Sequence, residues 1–501
     1  MCSILARGER THHRGQGGVY LPRRGFRPPW ANRGEPGRTM HRRDRQSRGV
    51  TRPMPEVASP THQFDLVLLG GGTGGYVAAI RAKQLGLNVA VVEELILGGC
   101  CLHRGCIPTK AFLKSADVFD EVKRASEFGV EINGDISFNY EAALARSKKI
   151  VEGQYRGLLY LFEKKHKIPV FMGRGRLLSA NMIGVTPNDG SAPFSIQAKD
   201  IIINTGSRPR PIKGIPFDGN VVINSDHAVV LDHLPKSFII RGGGATGVEW
   251  ASIYHRYGAK VTLVGNIVPQ EDEEISQHLT RAFQRQKIDL VPGARPTADD
   301  IEVTNDGVRM RVTDPRGKER VLEAEVLLVA VGREGCIQDI GLEEVGVQTK
   351  GDYIVVDDMM RTNVPHIYAI GDVNGRQMLA HTAMHHGIIA VEHIAGLNPF
   401  PLDELNSPSC TYCEPEIGSV GLTEKQARER GHNVRVGRFP MKPNAKANIE
   451  GHPDGFTKIV ADADTNDLLG VHIIGPHATE LIAEAGFARL VDSTPEELAI
   501  A

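Results

Sequence analysis

The hydrophobic pattern of the chain changes abruptly near residue 64. Residues 1–62 show no hydrophobic periodicity and are rich in Arg, Gly and Pro, a composition that predicts a disordered extension. The next stretch, FDLVLLGGGTGGYVAAIRAKQLGLNVAVVEE, consists of an apolar run, a glycine turn, a helical pattern and a second apolar run. Short apolar runs of this kind predict strands buried in a parallel sheet, here over residues 64–69 and 88–92.

The glycine turn between these elements fits a dinucleotide-binding motif. Gly70, Gly72 and Gly75 have G-x-G-x-x-G spacing. The first glycine allows a tight turn, the second admits a pyrophosphate, and the third lets helix and strand pack closely. Glu93 ends the second strand, where a carboxylate can accept hydrogen bonds from ribose hydroxyls. Strand, glycines, helix and acid in this order predict dinucleotide binding.

The segment SFIIRGGGATGVEWASIYHRYGAKVTLVG repeats this order of elements. Strands are predicted over residues 238–241 and 260–264, with Gly242, Gly244 and Gly247 between them. Two such units predict two dinucleotides. A flavin with a nicotinamide is the simplest pair, because a flavin can exchange electrons with a nicotinamide.

The two copies differ where the second strand ends. Glu93 ends that strand in the first copy, whereas Gly265 and Asn266 follow it in the second. The sequence there offers neither the carboxylate that holds an NAD ribose nor the Arg that recognises an NADP phosphate. The choice between NAD and NADP therefore stays open.

Composition and charge narrow the class of protein. The chain has 501 residues, 41% hydrophobic and 24% charged, which is typical of a soluble globular protein of about three domains. The first 60 residues contain 13 Arg and 4 acidic residues, so the rest is net acidic and nucleic acid is not expected as a partner. No apolar run approaches the roughly 18 residues of a membrane span. The Arg-rich segment fits a basic tail, a transit peptide or, as preferred here, sequence upstream of a natural start at Met54.

The segment GGCCLHRGCIPTK, residues 98–110, holds three of the seven cysteines. A zinc site needs a second ligand pair nearby, and the only candidate, Cys410-x-x-Cys413, is about 300 residues away, so no metal is predicted. A structural disulfide is disfavoured in a reducing compartment, while two unreactive buried thiols remain the alternative. A redox-active pair, Cys101 and Cys106, is favoured because a helix N-terminus, which lowers a thiol pKa, is predicted here.

Five further segments matter together with the cysteine segment. They are IIINTGSRPR (201–210), LLVAVGRE (327–334), IYAIGDVNGRQMLAHTA (367–383), PSCTYCEPEIGSVGLTEKQA (408–427) and LLGVHIIGPHATELI (468–482). Together they resemble the flavin disulfide oxidoreductases, and within them the dihydrolipoamide dehydrogenases. The resemblance extends from about residue 64 nearly to the last residue. Glutathione-reducing relatives usually end the cysteine segment in VPKK, which this chain does not contain.

The resemblance implies a role for each matching residue. Cys101 would be the interchange thiol that attacks the lipoyl disulfide, and Cys106 the thiolate that lies against the flavin. Lys110 and Glu249 match a pair beside the flavin ring, where a lysine stabilises the anionic reduced ring. The expected FAD contacts are Gly70, Gly72, Gly75, Glu93, Lys110, Gly175, Thr205, Gly206, Ser207, Asp372, Met378, Leu379, Ala380 and His381. The expected NAD contacts are Gly242, Gly244, Ala245, Thr246, Gly247, Glu249 and Gly332.

The resemblance also implies an architecture, an α/β fold of two Rossmann-like dinucleotide-binding domains with a C-terminal α+β dimerisation domain. The FAD-binding domain is expected over residues 63–210 and again over 335–405, the NAD-binding domain over 211–334, and the interface domain over 406–501. Cys410 and Cys413 would both be sheet residues of the interface domain. A cytoplasmic homodimer is expected, with lipoyl domains of 2-oxo acid dehydrogenase or glycine cleavage complexes as partners.

One element of the family is absent from the sequence. The family's acid–base catalyst is a His in an HPTxxE motif that follows a segment like TPEELA, and this chain reads STPEELAIA to its last residue. General acid–base catalysis contributes about 10²–10⁴-fold, so poor lipoamide turnover is expected of a C-terminally truncated chain. The alternatives are another flavin disulfide reductase, similar to mercuric or glutathione reductase, and a flavin-binding subunit without catalysis.

Overall fold

The computed structural model describes residues 61–500. The disordered extension predicted over residues 1–62 lies outside the described residues, except that the first strand already begins at His62. No helix within residues 61–500 is long and apolar enough to cross a membrane.

The first part of the described chain builds a sheet with a parallel core. Its elements are β1 (His62–Leu69), α1 (Thr73–Gln84), β2 (Val89–Glu93), α2 (Gly99–His103), α3 (Cys106–Lys123), α4 (Tyr140–Tyr160), β3 (Val170–Ser179), β4 (Met182–Pro187), β5 (Phe194–Ile203) and β6 (Ser207–Pro209). β1 pairs in parallel with β2 and β5, and β4 is antiparallel to β3 and β5. Leu66 and Leu68 belong to one buried cluster and Val67 and Leu69 to another, because both faces of the sheet are covered.

The middle part repeats the parallel arrangement. Its elements are β7 (Val222–Ile223), α5 (Ser225–Ala228), β8 (Ser237–Arg241), α6 (Ala245–Arg256), β9 (Lys260–Val264), α7 (Glu273–Arg285), β10 (Asp289–Val291), β11 (Ile301–Thr304), β12 (Gly307–Thr313), β13 (Glu319–Ala324) and β14 (Val326–Val329). The order β10-β9-β8-β14-β7 is parallel throughout, and β11–β13 form a separate antiparallel sheet.

The last part returns to the first sheet and then builds an antiparallel one. Its elements are β15 (Arg333–Gly335), α8 (Leu342–Val345), β16 (Thr349–Lys350), β17 (Tyr353–Ile354), β18 (Ile367–Ala369), α9 (Ala380–Ile394), β19 (Ser409–Thr411), β20 (Ile417–Gly421), α10 (Glu424–Glu429), β21 (Val434–Pro440), α11 (Ala445–Ile449), β22 (Phe456–Asp462), β23 (Leu468–Ile474), α12 (Ala478–Leu490) and α13 (Pro495–Ile500). β18 pairs with β5 of the first sheet. The five-stranded sheet has the order β19-β20-β23-β22-β21.

One hydrophobic cluster joins the three parts. The ring of Phe112 on α3 lies 5.8 Å from that of Trp250 on α6, measured between centroids. Ile417 and Ile474 of the antiparallel sheet belong to the same buried cluster. The helix that follows the cysteine pair is therefore packed against both the second nucleotide unit and the C-terminal sheet.

Several strand boundaries and one assignment differ from the sequence-based expectations. β1 begins two residues early because its first residues pair with Ile196 and Gln197 of β5. β2 spans Val89–Glu93, one residue later at both ends than the predicted range 88–92. The expectation that Cys410 and Cys413 are both sheet residues is wrong for Cys413, which follows β19 in a buried bend where the backbone turns towards β20.

Candidate active site and nucleotide sites

The first glycine motif has the steric requirements of a dinucleotide turn. A β-carbon added to Gly70, whose φ is +110°, would lie 2.3 Å from the carbonyl oxygen of Asn204. One added to Gly75 would lie 2.3 Å from the carbonyl oxygen of Gly70. Both positions require glycine because the turn and the helix–strand contact leave no space for a side chain. α1 begins directly after Gly72, so the unpaired N–H groups of its first turn are available to a phosphate.

The second glycine motif repeats this geometry. A β-carbon on Gly242, φ +113°, would lie 2.1 Å from the carbonyl oxygen of Ala330, and one on Gly247 would lie 1.8 Å from that of Gly242. A β-carbon on Gly244 would meet nothing within 4 Å. The predicted contacts Ala245 and Thr246 form the first turn of α6. The middle glycine of the second motif is thus open, whereas a β-carbon on Gly72 of the first would lie 3.4 Å from the Asn204 side chain, and both glycines stand next to a helix N-terminus.

Glu93 and Gly265 occupy equivalent positions in the two units. In the first unit, Gly70 donates its N–H to the carbonyl oxygen of Val92, the residue before Glu93, at 2.8 Å. In the second unit, Gly242 donates to the carbonyl oxygen of Val264, the residue before Gly265, at 2.9 Å. The carboxylate of the first unit therefore has no counterpart in the second, as its sequence predicts.

The Glu93 carboxylate is buried and held by backbone amides. Oε2 accepts from the N–H of Gly71 at 2.7 Å, and Oε1 accepts from those of Leu95 and Ile96 at 2.8 and 3.1 Å. Burial raises the pKa of Glu93, while the three amides favour its charged form. The amides fix the orientation of this carboxylate at the edge of the glycine motif, so a ribose would meet a preorganised acceptor.

Cys101 and Cys106 form a disulfide whose Cα atoms are 4.6 Å apart. Cys101 lies in the short helix α2 and Cys106 begins α3, with Gly105 in a non-helical conformation between them. This break brings the two residues within disulfide range. Cys106 also lies at the N-terminus of an 18-residue helix, where a thiolate is stabilised.

The remaining described cysteines are free thiols. They are Cys100, Cys336, Cys410 and Cys413. Burial raises the pKa of the Cys410 thiol to about 11, which makes it a poor nucleophile. Among residues 61–500, no group of His, Cys, Asp or Glu side chains is arranged to hold a metal ion.

Lys110 and Glu249 form the ion pair that the sequence predicts. The Lys110 Nζ atom lies 2.8 and 2.9 Å from the two carboxylate oxygens of Glu249. Glu249 is buried and also accepts from the backbone N–H of Tyr412 at 3.0 Å, and the ammonium lies 4.5 Å from the Tyr412 ring centroid. Because Lys110 follows Cys106 by four residues on α3, both face the same side of that helix.

A second polar cluster lies where β6 meets β15. The Ser207 hydroxyl donates to the carboxylate of Asp372. Arg333 donates from Nε to Ser207 Oγ at 2.7 Å, and from Nη2 to the Ser207 carbonyl at 2.8 Å and the Cys100 sulfur at 3.5 Å. Burial raises the pKa of Cys100, opposed by the Arg333 charge. Two predicted flavin contacts, Ser207 and Asp372, are therefore directly connected.

Two other predicted flavin contacts carry buried polar atoms without a partner. They are Thr205 Oγ1 and His381 Nε2. Buried polar atoms are nearly always hydrogen-bonded in native proteins, so these atoms fit a site for a polar ligand. His381 follows Ala380 at the start of α9, whose N-cap Leu379 provides no side-chain cap. Met378 immediately precedes this uncapped N-terminus, which can accept an anionic group.

Three predicted contacts, Gly175, Gly206 and Gly332, are glycines outside the two motifs, and their surroundings differ. A β-carbon on Gly175 would lie 2.3 Å from the Leu69 side chain, so sheet packing alone requires this glycine, and its flavin contact stays a prediction. Gly206 and Gly332 have φ values of +71° and +120° with open space beside them.

Two family profiles match almost the whole described chain. Residues 64–387 match the pyridine nucleotide-disulphide oxidoreductases, and residues 407–500 match the dimerisation domain of the same family. The chain belongs to this family. The dihydrolipoyl dehydrogenase of Bacillus subtilis is 47% identical over 446 residues, covering 87% of this chain and 94% of that protein. That of Chlorobaculum tepidum is 44% identical over 438 residues, covering 87% and 92%. The crystal structure of LpdA from Mycobacterium tuberculosis matches with a TM-score of 0.79 at 29% identity, covering 88% of this chain and 96% of that one.

Membership of the pyridine nucleotide-disulphide oxidoreductases confirms the predicted α/β fold class and the resemblance on which it was based. The dihydrolipoyl dehydrogenase family uses FAD and NAD, and the two glycine motifs provide one unit for each dinucleotide. The dimerisation domain supports the expected homodimer. The expected impairment of lipoamide turnover has no support in these relatives.

Two arginines beside the nucleotide units were not predicted from the sequence. Arg333 follows Gly332 directly, and only its contacts with Ser207 and Cys100 reveal it. Arg241 precedes the second glycine motif at the position where the first motif has Leu69. A charged residue at the end of a buried strand was the available signal for Arg241.

Proposed function

We propose that this chain is a dihydrolipoyl dehydrogenase, which passes electrons between dihydrolipoamide and a pyridine nucleotide through bound FAD and the Cys101–Cys106 disulfide. The observation that carries the proposal is this disulfide at the start of α3, on the helix that also pairs through Lys110 with the second nucleotide unit. Relatives that are 40–47% identical over most of the chain are dihydrolipoyl dehydrogenases.

The exchange chemistry supports different roles for the two cysteines. A lipoyl thiolate attacks the Cys101 sulfur, the Cys101–Cys106 bond breaks, and Cys106 leaves as a thiolate. The second lipoyl thiol then attacks the mixed disulfide, which releases lipoamide and the Cys101 thiol, so one dithiol is oxidised as one disulfide is reduced. The thiol with the lower pKa is the better leaving group, and Cys106 has the helix N-terminus that lowers it.

Lys110 is the proposed electrostatic partner of the flavin. FAD, when bound, would take two electrons from the reduced pair and transfer them to the nicotinamide. A fixed ammonium group near the ring stabilises the negative charge of the reduced form. Glu249 and Tyr412 hold that ammonium in place from two other elements of the fold.

The remaining assignments follow from the same proposal. FAD would be held by the first glycine motif, Glu93, Gly175, the residues around Ser207 and Asp372, and the start of α9. The flavin domain would span residues 63–210 and 335–405, the nicotinamide domain 211–334, and the interface domain 406–501. Lipoyl domains of 2-oxo acid dehydrogenase or glycine cleavage complexes would be the partners of a homodimer in the cytoplasm.

The test compares lipoamide turnover in the FAD-loaded protein and two cysteine variants. Cys106→Ser should lose lipoamide turnover but keep nicotinamide-driven reduction of an artificial electron acceptor, because only the disulfide is removed. Cys410→Ser, which removes a free thiol elsewhere, should behave like the unchanged protein. Full lipoamide turnover in Cys106→Ser would contradict the proposal. Reduction of glutathione disulfide instead of lipoamide would indicate another reductase, and a flavin that does not respond to NADH or NADPH would indicate a binding subunit.

A further inference from the structure

A guanidinium group lies where the second nucleotide unit lacks its carboxylate. Arg241 ends β8, and a β-carbon built on Gly265 would lie 3.6 Å from Arg241 Nη1. In the first unit, Leu69 occupies the position equivalent to Arg241, and Glu93 the position equivalent to Gly265. The second unit thus has a guanidinium beside the strand end where the first has a carboxylate, and this strand end faces the adenosine ribose in such folds. The end of β9 has no Arg in the sequence, but β8, the strand next to it, ends in Arg241.

Arg241 has no counter-charge within residues 61–500. Its Nε atom is buried and makes no hydrogen bond. The charged neighbour that acts on it is another cation, Arg295, and both burial and this repulsion lower the pKa of Arg241. An uncompensated, partly buried guanidinium is costly. A ligand anion is the counter-charge that would complete this site.

The loop that carries Arg295 is tied to the same edge of the sheet. The N–H of Gly265 donates to the carbonyl oxygen of Val291 at 3.0 Å, and that of Gly293 donates to Asn266 Oδ1 at 2.8 Å. Since ligands of parallel sheets bind at the carboxyl ends of the strands, the end of β8 brings Arg241 to the nucleotide edge. Arg295 lies in the exposed loop after β10, close enough for its charge to act on Arg241.

We propose that the second nucleotide site selects a dinucleotide with a 2′-phosphate, NADP(H), over NAD(H), and that Arg241 determines this choice with assistance from Arg295. A guanidinium binds phosphate through two parallel hydrogen bonds. Gly265 contributes no carboxylate that would repel the phosphate and no side chain that would fill its place. The inference rests on the proposed function only in that the second motif binds a nicotinamide dinucleotide.

The test uses two probes that differ only in the 2′-phosphate, 2′,5′-ADP and 5′-AMP, titrated calorimetrically into the FAD-loaded protein. 2′,5′-ADP should bind at least about tenfold more tightly, the value of one charge-assisted contact. Arg241→Leu should remove this difference and leave 5′-AMP affinity unchanged. Leucine suits the position because Leu69 occupies its counterpart in the flavin unit. Arg241→Lys should keep part of the preference, since it retains the charge without the two-pronged geometry.

Arg309→Leu is the control, because it removes an exposed Arg from the same part of the chain but on β12 of the separate antiparallel sheet, where Glu323 pairs with it. The control should keep the full preference. Equal binding of the two probes, no binding of either, or the same loss in Arg241→Leu and Arg309→Leu would overturn the inference. Preferential 2′,5′-ADP binding without lipoamide turnover would contradict the proposed function alone. Lipoamide turnover with no preference between the probes would contradict the inference alone.

Discussion

Replacing Lys458 should destabilise the contact between the second nucleotide unit and the C-terminal sheet. The Lys458 Nζ atom lies 2.9 Å from Asp272, 2.6 Å from Glu274 and 2.8 Å from Glu424. The side chains of Lys458 and Asp272 are each 2% exposed. Asp272 and Glu274 lie at the start of α7, Glu424 begins α10 and Lys458 belongs to β22, so this one ammonium contacts carboxylates from two other elements.

The magnitude follows from the charge that Lys458→Met would leave unpaired. Removing one partner of a buried ion pair costs about 3–5 kcal/mol. Asp272 would still accept from the backbone amides of Glu274 and Glu424 at 3.1 and 3.2 Å. We therefore expect about 3 kcal/mol, the lower end of that range. At about 2–4 °C per kcal/mol for a unit of 150–250 residues, the melting temperature should fall by about 6–12 °C.

Thermal unfolding of the FAD-saturated protein measures this change. Lys458 helps to lower the pKa of Glu274 and of Glu424, so without it these carboxylates take up protons at a higher pH and the loss should be smaller at pH 5 than at pH 8. Adding Asp272→Asn to the variant should recover part of the stability, because asparagine keeps the helix cap without the charge. The control is Lys446→Met, an exposed pair with Glu450 worth at most about 1 kcal/mol. A loss no larger than that of Lys446→Met would refute the reasoning.

Two further predictions concern the second glycine motif and acid stability. Gly244→Ala should fold and retain FAD, because its β-carbon meets nothing within 4 Å, but should lose nicotinamide-driven flavin reduction. Gly437→Ala, equally open but far from the motif in sequence, should retain both FAD and nicotinamide-driven flavin reduction. The flavin absorbance measures FAD retention, and its bleaching by a reduced nicotinamide measures the reduction. The pKa of Glu274 is lowered to about 2, mainly by its hydrogen bond with Arg438. Its folded-state pKa is depressed, so its stabilisation is complete above the usual value of 4.5 and disappears as the pH falls through about 2. Urea unfolding between pH 5 and pH 2.5 should show a steeper loss in the unchanged protein than in Glu274→Gln, and equal slopes would contradict this assignment.

Features with a local signal were predictable from the sequence. The two glycine motifs were found because turn, pyrophosphate approach and helix packing each need glycine at a fixed spacing. The strand predicted over residues 260–264 is β9 as observed, and the helix predicted after the cysteine segment is α3. Cys101 and Cys106 could be paired because a helix start and nearby glycines indicate both an activated thiol and a bend.

Features that depend on distant residues could not be predicted. Lys458 meets Asp272 across 186 positions of sequence, and nothing near either residue indicates the other. The role of Arg241 depends on its strand lying beside β9, which places its guanidinium near Gly265. The motif predicts an arginine only at the end of its second strand, whereas the pairing of β8 with β9 brings one there from β8.

The most direct test of the central claim is anaerobic reduction of the FAD-loaded protein by dihydrolipoamide, followed through the flavin absorbance. If the Cys101–Cys106 disulfide connects the lipoyl dithiol to the flavin, dihydrolipoamide should bleach the flavin in the unchanged protein. It should leave the flavin oxidised in Cys106→Ser, although a reduced nicotinamide should still bleach it there. Bleaching by dihydrolipoamide in Cys106→Ser at the rate of the unchanged protein would contradict the account.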